Sequence, residues 1–297
     1  MGQIIDGKAI AANIREGLKA KVDAIRRDKG VVTKLAVILV GENPASVSYV
    51  RGKEKACMEA GIESVVHRLP ESVDEKSLLE LIDSLNADAS VHGILVQLPL
   101  PDKIDESRVL LEIQPSKDVD GLHPFNMGKL FKGEDPLFIP CTPLGAMELI
   151  LSTGVDIAGK KAVVLGRSNL VGKPAAILLL QRHATVTICH TKTKDLAGET
   201  SKADILVVAA GRPGMVKGNM IKKGAIVIDV GTTRTEKGIT GDVDFASAKD
   251  IAGYITPVPG GVGPMTIAML LKNVVSSAER VGEKGPDTPP ELWATIA

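Results

Sequence analysis

Short apolar runs alternate with segments of helical periodicity along most of this chain, and no other feature restricts its fold as much. Leu35-Ala-Val-Ile-Leu-Val40 contains no polar residue and is closed by Gly41. A strand covered by helices on both faces reads in this way, whereas a strand with one wet face alternates apolar and polar residues. Residues 46–60 then have helical character, 64–69 suit a strand, and 74–87 place Leu78, Leu79, Leu81, Ile82 and Leu85 along a helix face. Gly93-Ile-Leu-Val-Gln-Leu98 is a second buried run, halted by Pro99. Strand, helix, strand, helix, strand in succession predicts a parallel sheet with helices on both faces.

The same rhythm restarts after residues 136–143, where three prolines mark a domain boundary. Strands are expected at 159–165, 185–189, 205–209 and 225–230, with a helix over 174–181 and another from Met265 to about Arg280. A chain of 297 residues exceeds the usual size of one domain. The expectation is therefore an α/β protein of two domains, 1–139 and 140–266, with the helical segment 267–297 returning to the first. The N-terminal stretch reads as a short strand followed by an amphipathic helix, without the long apolar core of a secretory signal. Residues 282–290, rich in Gly and Pro, are expected to be loosely ordered.

Composition removes several function classes. Lys plus Arg number 36 and Asp plus Glu also 36, so the net charge is zero. Nucleic acids and anionic membranes are bound through basic surface, which argues against either as the main partner. Aromatic residues make up only 2%, too few for serial base stacking. Cys57, Cys141 and Cys189 are far apart, so neither a disulfide framework nor a zinc site is indicated, and no metal is expected. Apolar runs are too short to span a bilayer. A cytoplasmic protein fits these features.

Gly166-Arg-Ser-Asn-Leu-Val-Gly172-Lys-Pro174 lies between the strand ending at Leu165 and a helix. Glycines at such a turn let the backbone approach a pyrophosphate, and the helix N-terminus favours negative charge. Pro174 suits the first helical turn. The spacing is not GxGxxG, and a glycine-rich turn without a ligand reads the same way. NAD enzymes place an acidic residue about twenty positions further on, against the ribose 2′-hydroxyl. Here Ile188-Cys-His190-Thr191-Lys192-Thr193 offers none. With Arg167, that basic and hydroxylic strand end suits a 2′-phosphate and hence NADP. Solvated loop residues are the plain alternative for His190 and Lys192. Two more strand ends, at Gly211 and Thr232, fall where open α/β sheets bind ligands.

In the first half, Tyr49 and Lys53 share a helix face. Such a pair can serve proton transfer, and equally it can do nothing. Gln97, at the end of a buried strand, needs hydrogen-bond partners. Lys117-Asp118-Val-Asp120-Gly121 brings two carboxylates into a turn, either as an Asx-type turn or, less readily, as part of a metal site.

These segments together resemble the methylenetetrahydrofolate dehydrogenase/cyclohydrolase family. The resemblance runs from Ile4 to about Arg280 and is carried by SYVRGK (48–53), GILVQLPLP (93–101), KDVDG (117–121), PCTP (140–143), the Gly166 to Pro174 turn and TPVPGGVGPMT (256–266). It implies an N-terminal three-layer α/β catalytic domain, a C-terminal Rossmann-like NADP-binding domain and a cleft between them. It implies oxidation of 5,10-methylenetetrahydrofolate and hydrolysis of the methenyl product, serving one-carbon and purine metabolism, by a homodimer. Lys53 would be the cyclohydrolase acid/base, poised by Gln97. Tyr49 would stack on the folate and Asp120 would anchor the pterin, while Pro99, Pro259, Gly260 and Gly261 would also contact substrate. Gly166, Arg167, Ser168, Gly172, Thr191, Gly211, Thr232, Thr142 and Thr266 would hold NADP. Two departures stand out: Thr191 replaces a frequent serine and keeps its hydroxyl, and Thr232 replaces a frequent isoleucine. A dehydrogenase of amino or hydroxy acids would want a His or Arg electrophile handler, which no motif supplies. A non-enzymatic NADP-binding protein would be free to lose Lys53, Gln97 or Asp120, and all three are present.

Overall fold

The computed structural model describes residues 2–236 and 238–281. They form two compact units. One begins at Asn13, runs to Ile139 and resumes at Leu270; the other joins the residues up to Ala12 to Pro140–Met269. Along the chain the elements are β1 (Gln3–Ile4), α1 (Gly7–Lys29), β2 (Lys34–Val40), α2 (Pro44–Glu59), β3 (Glu63–Leu69), α3 (Glu75–Ala87), β4 (Gly93–Val96), α4 (Glu106–Glu112) and α5 (Pro124–Lys132). They continue with α6 (Cys141–Leu151), β5 (Lys161–Leu165), α7 (Gly172–Gln181), β6 (Thr185–Cys189), α8 (Leu196–Thr200), β7 (Ile205–Val208) and β8 (Ile226–Asp229). Last come β9 (Thr233–Thr235), β10 (Gly238–Thr240), α9 (Phe245–Ala248), β11 (Tyr254–Ile255) and α10 (Val262–Glu279).

In the unit beginning at Asn13, the described strands form a parallel sheet in the order β3-β2-β4. The apolar run of β2 is buried because Ile38, on one face, packs with Leu78, Ile82 and Ile94 in a closed core. Local signals set the helix starts. Asn43 accepts from the Ala45 and Ser46 amides ahead of Pro44, and Asp74 accepts from Ser77 N at 2.7 Å. β3 and β4 flank β2 on opposite sides, so the strand order reverses between β2 and β4. Crevices at the carboxyl ends of strands beside such a reversal are where α/β sheets bind ligands.

The other unit holds a six-stranded parallel sheet among the described residues, in the order β1-β11-β8-β7-β5-β6. β6 lies on one side of β5, and β7, β8 and β11 build outward on the other, which puts this reversal between β5 and β7. Val163, Leu206, Val208 and Val227 form its closed core.

The structure moves one boundary. Residues up to Ala12, expected with the first domain, belong to the second unit, because β1 pairs with β11 in the register Gln3↔Tyr254 and Ile4↔Ile255. Gln3 N donates to Gly253 O and Ile5 N to Ile255 O, closing an edge that would otherwise be open. A two-residue strand carries no periodicity that names its sheet. The final helix begins at Val262, three residues before Met265, and the unit boundary falls inside it at 269/270 rather than at 266/267. The β9–β10 hairpin and helices α4, α5 and α6 were not legible from the apolar rhythm. The expectation of loose order over 282–290 lies outside the described residues.

Candidate active site

Lys53 is buried on α2 within the stripe Ser46, Val50, Lys53, Ala56 and Cys57. A lysine in that position must satisfy its ammonium group internally. Its Nζ donates to Gln97 Oε1 at 3.0 Å. Gln97 stands just beyond β4, its amide nitrogen donating to Leu98 O at 2.7 Å and its backbone N to Ile38 O at 2.9 Å. The side-chain amide is thus held at both ends, with its oxygen toward Lys53. Pro99, which follows a cis peptide bond, is exposed beside it. Tyr49, one turn before Lys53, is 45% exposed and keeps part of its ring surface open. Cys57, one turn after Lys53, has its thiol pushed up to about 12 by burial and is inert.

The turn at 117–121 divides its work between its residues. Lys117 Nζ donates to the Leu85, Asn86 and Asp88 carbonyls, closing the carboxyl end of α3. Asp118 is buried and accepts from Leu122 N, His123 N and Asn126 Nδ2 at 2.8–3.1 Å. Burial pushes its carboxyl up to about 7 against those three donors. Val119 packs on Gly93, where a Cβ would come within 2.6 Å of it, and its carbonyl accepts from the buried Asn273 at 2.8 Å. Asp120 is left half exposed, its turn fixed from several sides.

In the other unit, the carboxyl ends of β5 and β7 meet at the strand reversal. Gly166 has φ +130°, and a Cβ on it would lie 2.3 Å from Ala209 O. Gly172 opens α7, and a Cβ there would lie 2.3 Å from Gly166 O. A side chain at either position would collide with neighbouring backbone, so the close packing of this turn requires glycine at both. Ser168 Oγ accepts from Val171 N at 3.1 Å and orders the turn, leaving Arg167 exposed. Beyond β6, His190 N donates to Thr193 Oγ1 and Lys192 N to His190 Nδ1. His190 therefore ties this loop together, and Thr191 and Lys192 are exposed at its tip. Thr142, at the start of α6, and Thr266, in the first turns of α10, have hydroxyls 3.1 Å apart. Gly211 and Thr232 are exposed at the ends of β7 and β8.

Pro259, Gly260 and Gly261 lie in this second unit, directly ahead of α10, whereas Tyr49, Lys53, Gln97, Pro99 and Asp120 lie in the first. Lys8 N donates to Gly260 O at 3.0 Å, and Gly7 packs so closely that a Cβ on it would meet Gly261 O at 2.1 Å. The loop is thus seated on the amino end of α1. The structure directly joins Lys53 with Gln97, and Thr142 with Thr266. Sequence reasoning named Asp118 only as a carboxylate of the turn and missed its burial, and it missed Asn126 and Asn273 under the Asp120 turn and Asp229 and Asp242 under the strand ends. The glycines between those two acids, Gly231 and Gly241, were the available signal.

The fold and these two strand-end sites define an α/β enzyme with a dinucleotide-type cradle in one unit and a buried lysine–amide pair in the other. Residues 140–282 match the model of the tetrahydrofolate dehydrogenase/cyclohydrolase NAD(P)-binding domain, and residues 5–120 match that of the family's catalytic domain. The bifunctional protein FolD of Moorella thermoacetica is 59% identical over 94% of this chain and 99% of its own. The crystal structure of FolD methylenetetrahydrofolate dehydrogenase/cyclohydrolase from Campylobacter jejuni superposes with a TM-score of 0.93 at 53% identity, covering 95% of this chain and 100% of that one. The Trypanosoma brucei methylenetetrahydrofolate dehydrogenase-cyclohydrolase, complexed with NADP and an inhibitor, gives 0.91 at 43% identity over 95% and 99%. The chain belongs to the tetrahydrofolate dehydrogenase/cyclohydrolase family. It is an enzyme of folate one-carbon chemistry whose cofactor is a nicotinamide dinucleotide. Among the described residues no helix is long and apolar enough to cross a membrane.

Proposed function

We propose that this enzyme oxidises 5,10-methylenetetrahydrofolate with NADP and hydrolyses the 5,10-methenyl product to 10-formyltetrahydrofolate, with Lys53 as the acid/base of the second step. The observation that carries the reading is the Lys53–Gln97 hydrogen bond inside the buried stripe of α2. When bound, NADP supplies the hydride acceptor. The cradle at Gly166 and Gly172 fits its pyrophosphate, and Arg167 with Thr191 fits its 2′-phosphate. Gly211, Thr232, Thr142 and Thr266 complete the set assigned to the cofactor.

The oxidation asks no acid or base of the protein, because the folate nitrogen lone pair drives the hydride out and leaves a methenyl cation. The chain's task there is to hold the substrate in place: Asp120 by two hydrogen bonds to the pterin, Tyr49 by stacking, and Pro99, Pro259, Gly260 and Gly261 by contact. Water then adds to the cation. Lys53 moves the proton as the ring opens, its Nζ aimed by the Gln97 amide. A spectrophotometric assay with methylenetetrahydrofolate tests this reading, following methenyl absorbance with NADP and with NAD. Growth and decay of that absorbance with NADP is the expected result, and accumulation without decay overturns the hydrolytic half. A homodimer in the cytoplasm belongs to the same reading, and light scattering of the purified protein tests the dimer.

A further inference from the structure

Asp229 and Asp242 are buried carboxylates in the nucleotide-type unit that the chemistry above does not use. Asp242 Oδ2 accepts from Ala210 N at 2.7 Å and Gly211 N at 2.8 Å, the two amides that follow the end of β7. Its other oxygen, Oδ1, is buried without a hydrogen-bond partner among the described residues. The carboxylate lies flush against Gly231, where a Cβ would come within 2.4 Å of Asp242 Cγ. Asp229, at the end of β8, accepts from Gly231 N, Asp242 N and Val243 N at 2.9–3.0 Å. One acid therefore fixes the backbone of the other, and the second fixes the loop at Gly211 against the loop that leads to Thr232.

We infer that Asp242 is a positioning residue for the cofactor, presetting the Ala210–Gly211 loop beside the β8 end so that both strand ends meet the dinucleotide as one ordered wall. The inference rests on the assignment of Gly211 and Thr232 to the cofactor. Two amides that converge on one buried side-chain oxygen hold the loop in place, and a loop ordered in advance does not have to be ordered by the ligand. Asp229 acts one step further back, through the backbone of Asp242.

The test separates cofactor binding from general damage, because hydrolysis of methenyltetrahydrofolate supplied directly needs no NADP. Asp242→Asn is expected to raise the KM for NADP about tenfold or more, as weakening a buried acceptor shared by two amides predicts, while direct hydrolysis stays within about twofold. An unchanged KM in the folded variant overturns the role, and so does a parallel fall of both activities with a lowered melting temperature. In the unaltered protein without cofactor, the Ala210 and Gly211 amides are expected to exchange hydrogen slowly. Exchange at the rate of an open loop overturns the role even if the variant does not fold. Arg167→Ala serves as the reference: if it and Asp242→Asn both leave the KM for NADP unchanged, the cofactor assignment itself falls, and if only Asp242→Asn does, the positioning role alone falls.

Discussion

Lys53 reaches Gln97 Oε1 at 3.0 Å from within the buried stripe of α2, so its amine is held by a neutral amide. That contact fixes where the amine points, which suits a group that must give and take a proton at one place. Lys53→Met keeps the volume and apolar character of the stripe and removes the amine. Cyclohydrolase activity is expected to vanish while dehydrogenase activity stays measurable. Hydrolysis of methenyltetrahydrofolate at the parent rate overturns the role given to Lys53.

Gln97 provides a graded check. Gln97→Leu leaves the Lys53 ammonium buried without its acceptor, at a cost of about 1–3 kcal/mol. The variant should unfold at lower temperature and lose roughly tenfold to a hundredfold in hydrolysis. Gln97→Glu should retain more stability and still hydrolyse slowly, because an anion in place of the amide holds Lys53 in its charged form. Parent-like hydrolysis in both variants breaks the link between the two residues.

Much of the architecture was legible because buried parallel strands announce themselves. The runs expected at 35–40, 159–165 and 205–209 became the buried strands β2, β5 and β7, while the run at 185–189 became β6, a mostly exposed edge strand. Gly166 and Gly172 were legible as glycines of a strand-to-helix turn, and the structure adds that a Cβ on Gly166 would lie 2.3 Å from Ala209 O. The partnership of Lys53 and Gln97 was not legible from spacing. Their contact arises from strand order in a sheet, and family resemblance alone joined them beforehand. The burial of Asp118 and of Asp242 was not legible for a related reason: a buried carboxylate is spelled like an exposed one, and only the amides folded around it mark the difference.

Arg167 stands exposed in the turn after β5, and the proposed function assigns it to the 2′-phosphate. Arg167→Ala should therefore weaken NADP more than NAD, with little change in melting temperature. Steady-state KM values for the two cofactors decide it. Equal losses for both remove the case for a 2′-phosphate at this residue.

Asp118 makes stability depend on pH in a stated direction. Burial raises its carboxyl from 3.8 to about 7, so the folded state holds this proton more tightly than the unfolded chain does. Its contribution is fully present below about pH 4 and is lost as pH rises toward 7. The full shift amounts to at most about 4 kcal/mol. Asp118→Asn cannot titrate there and loses that slope. Urea denaturation should show the variant furthest below the parent near pH 4, with the gap narrowing steadily as pH rises to 8. A gap that widens with pH reverses the sign and removes the raised carboxyl.

Gly166 and Gly211 allow the cradle to be tested by contrast. Both have positive φ, +130° and +64°, so alanine is disfavoured at each. At Gly211 nothing lies within 4 Å of an added Cβ, and alanine should cost about 1 kcal/mol from backbone conformation alone. At Gly166 the methyl group would stand 2.3 Å from Ala209 O at the strand reversal, so β5 and β7 must part. Gly166→Ala should lower the melting temperature clearly more than Gly211→Ala does. It should also depress dehydrogenase activity far more than hydrolysis of supplied methenyltetrahydrofolate, because the crowding lies in the unit that carries the nucleotide cradle. Equal effects of the two substitutions would mean that the close approach of Gly166 to Ala209 is not what requires glycine there.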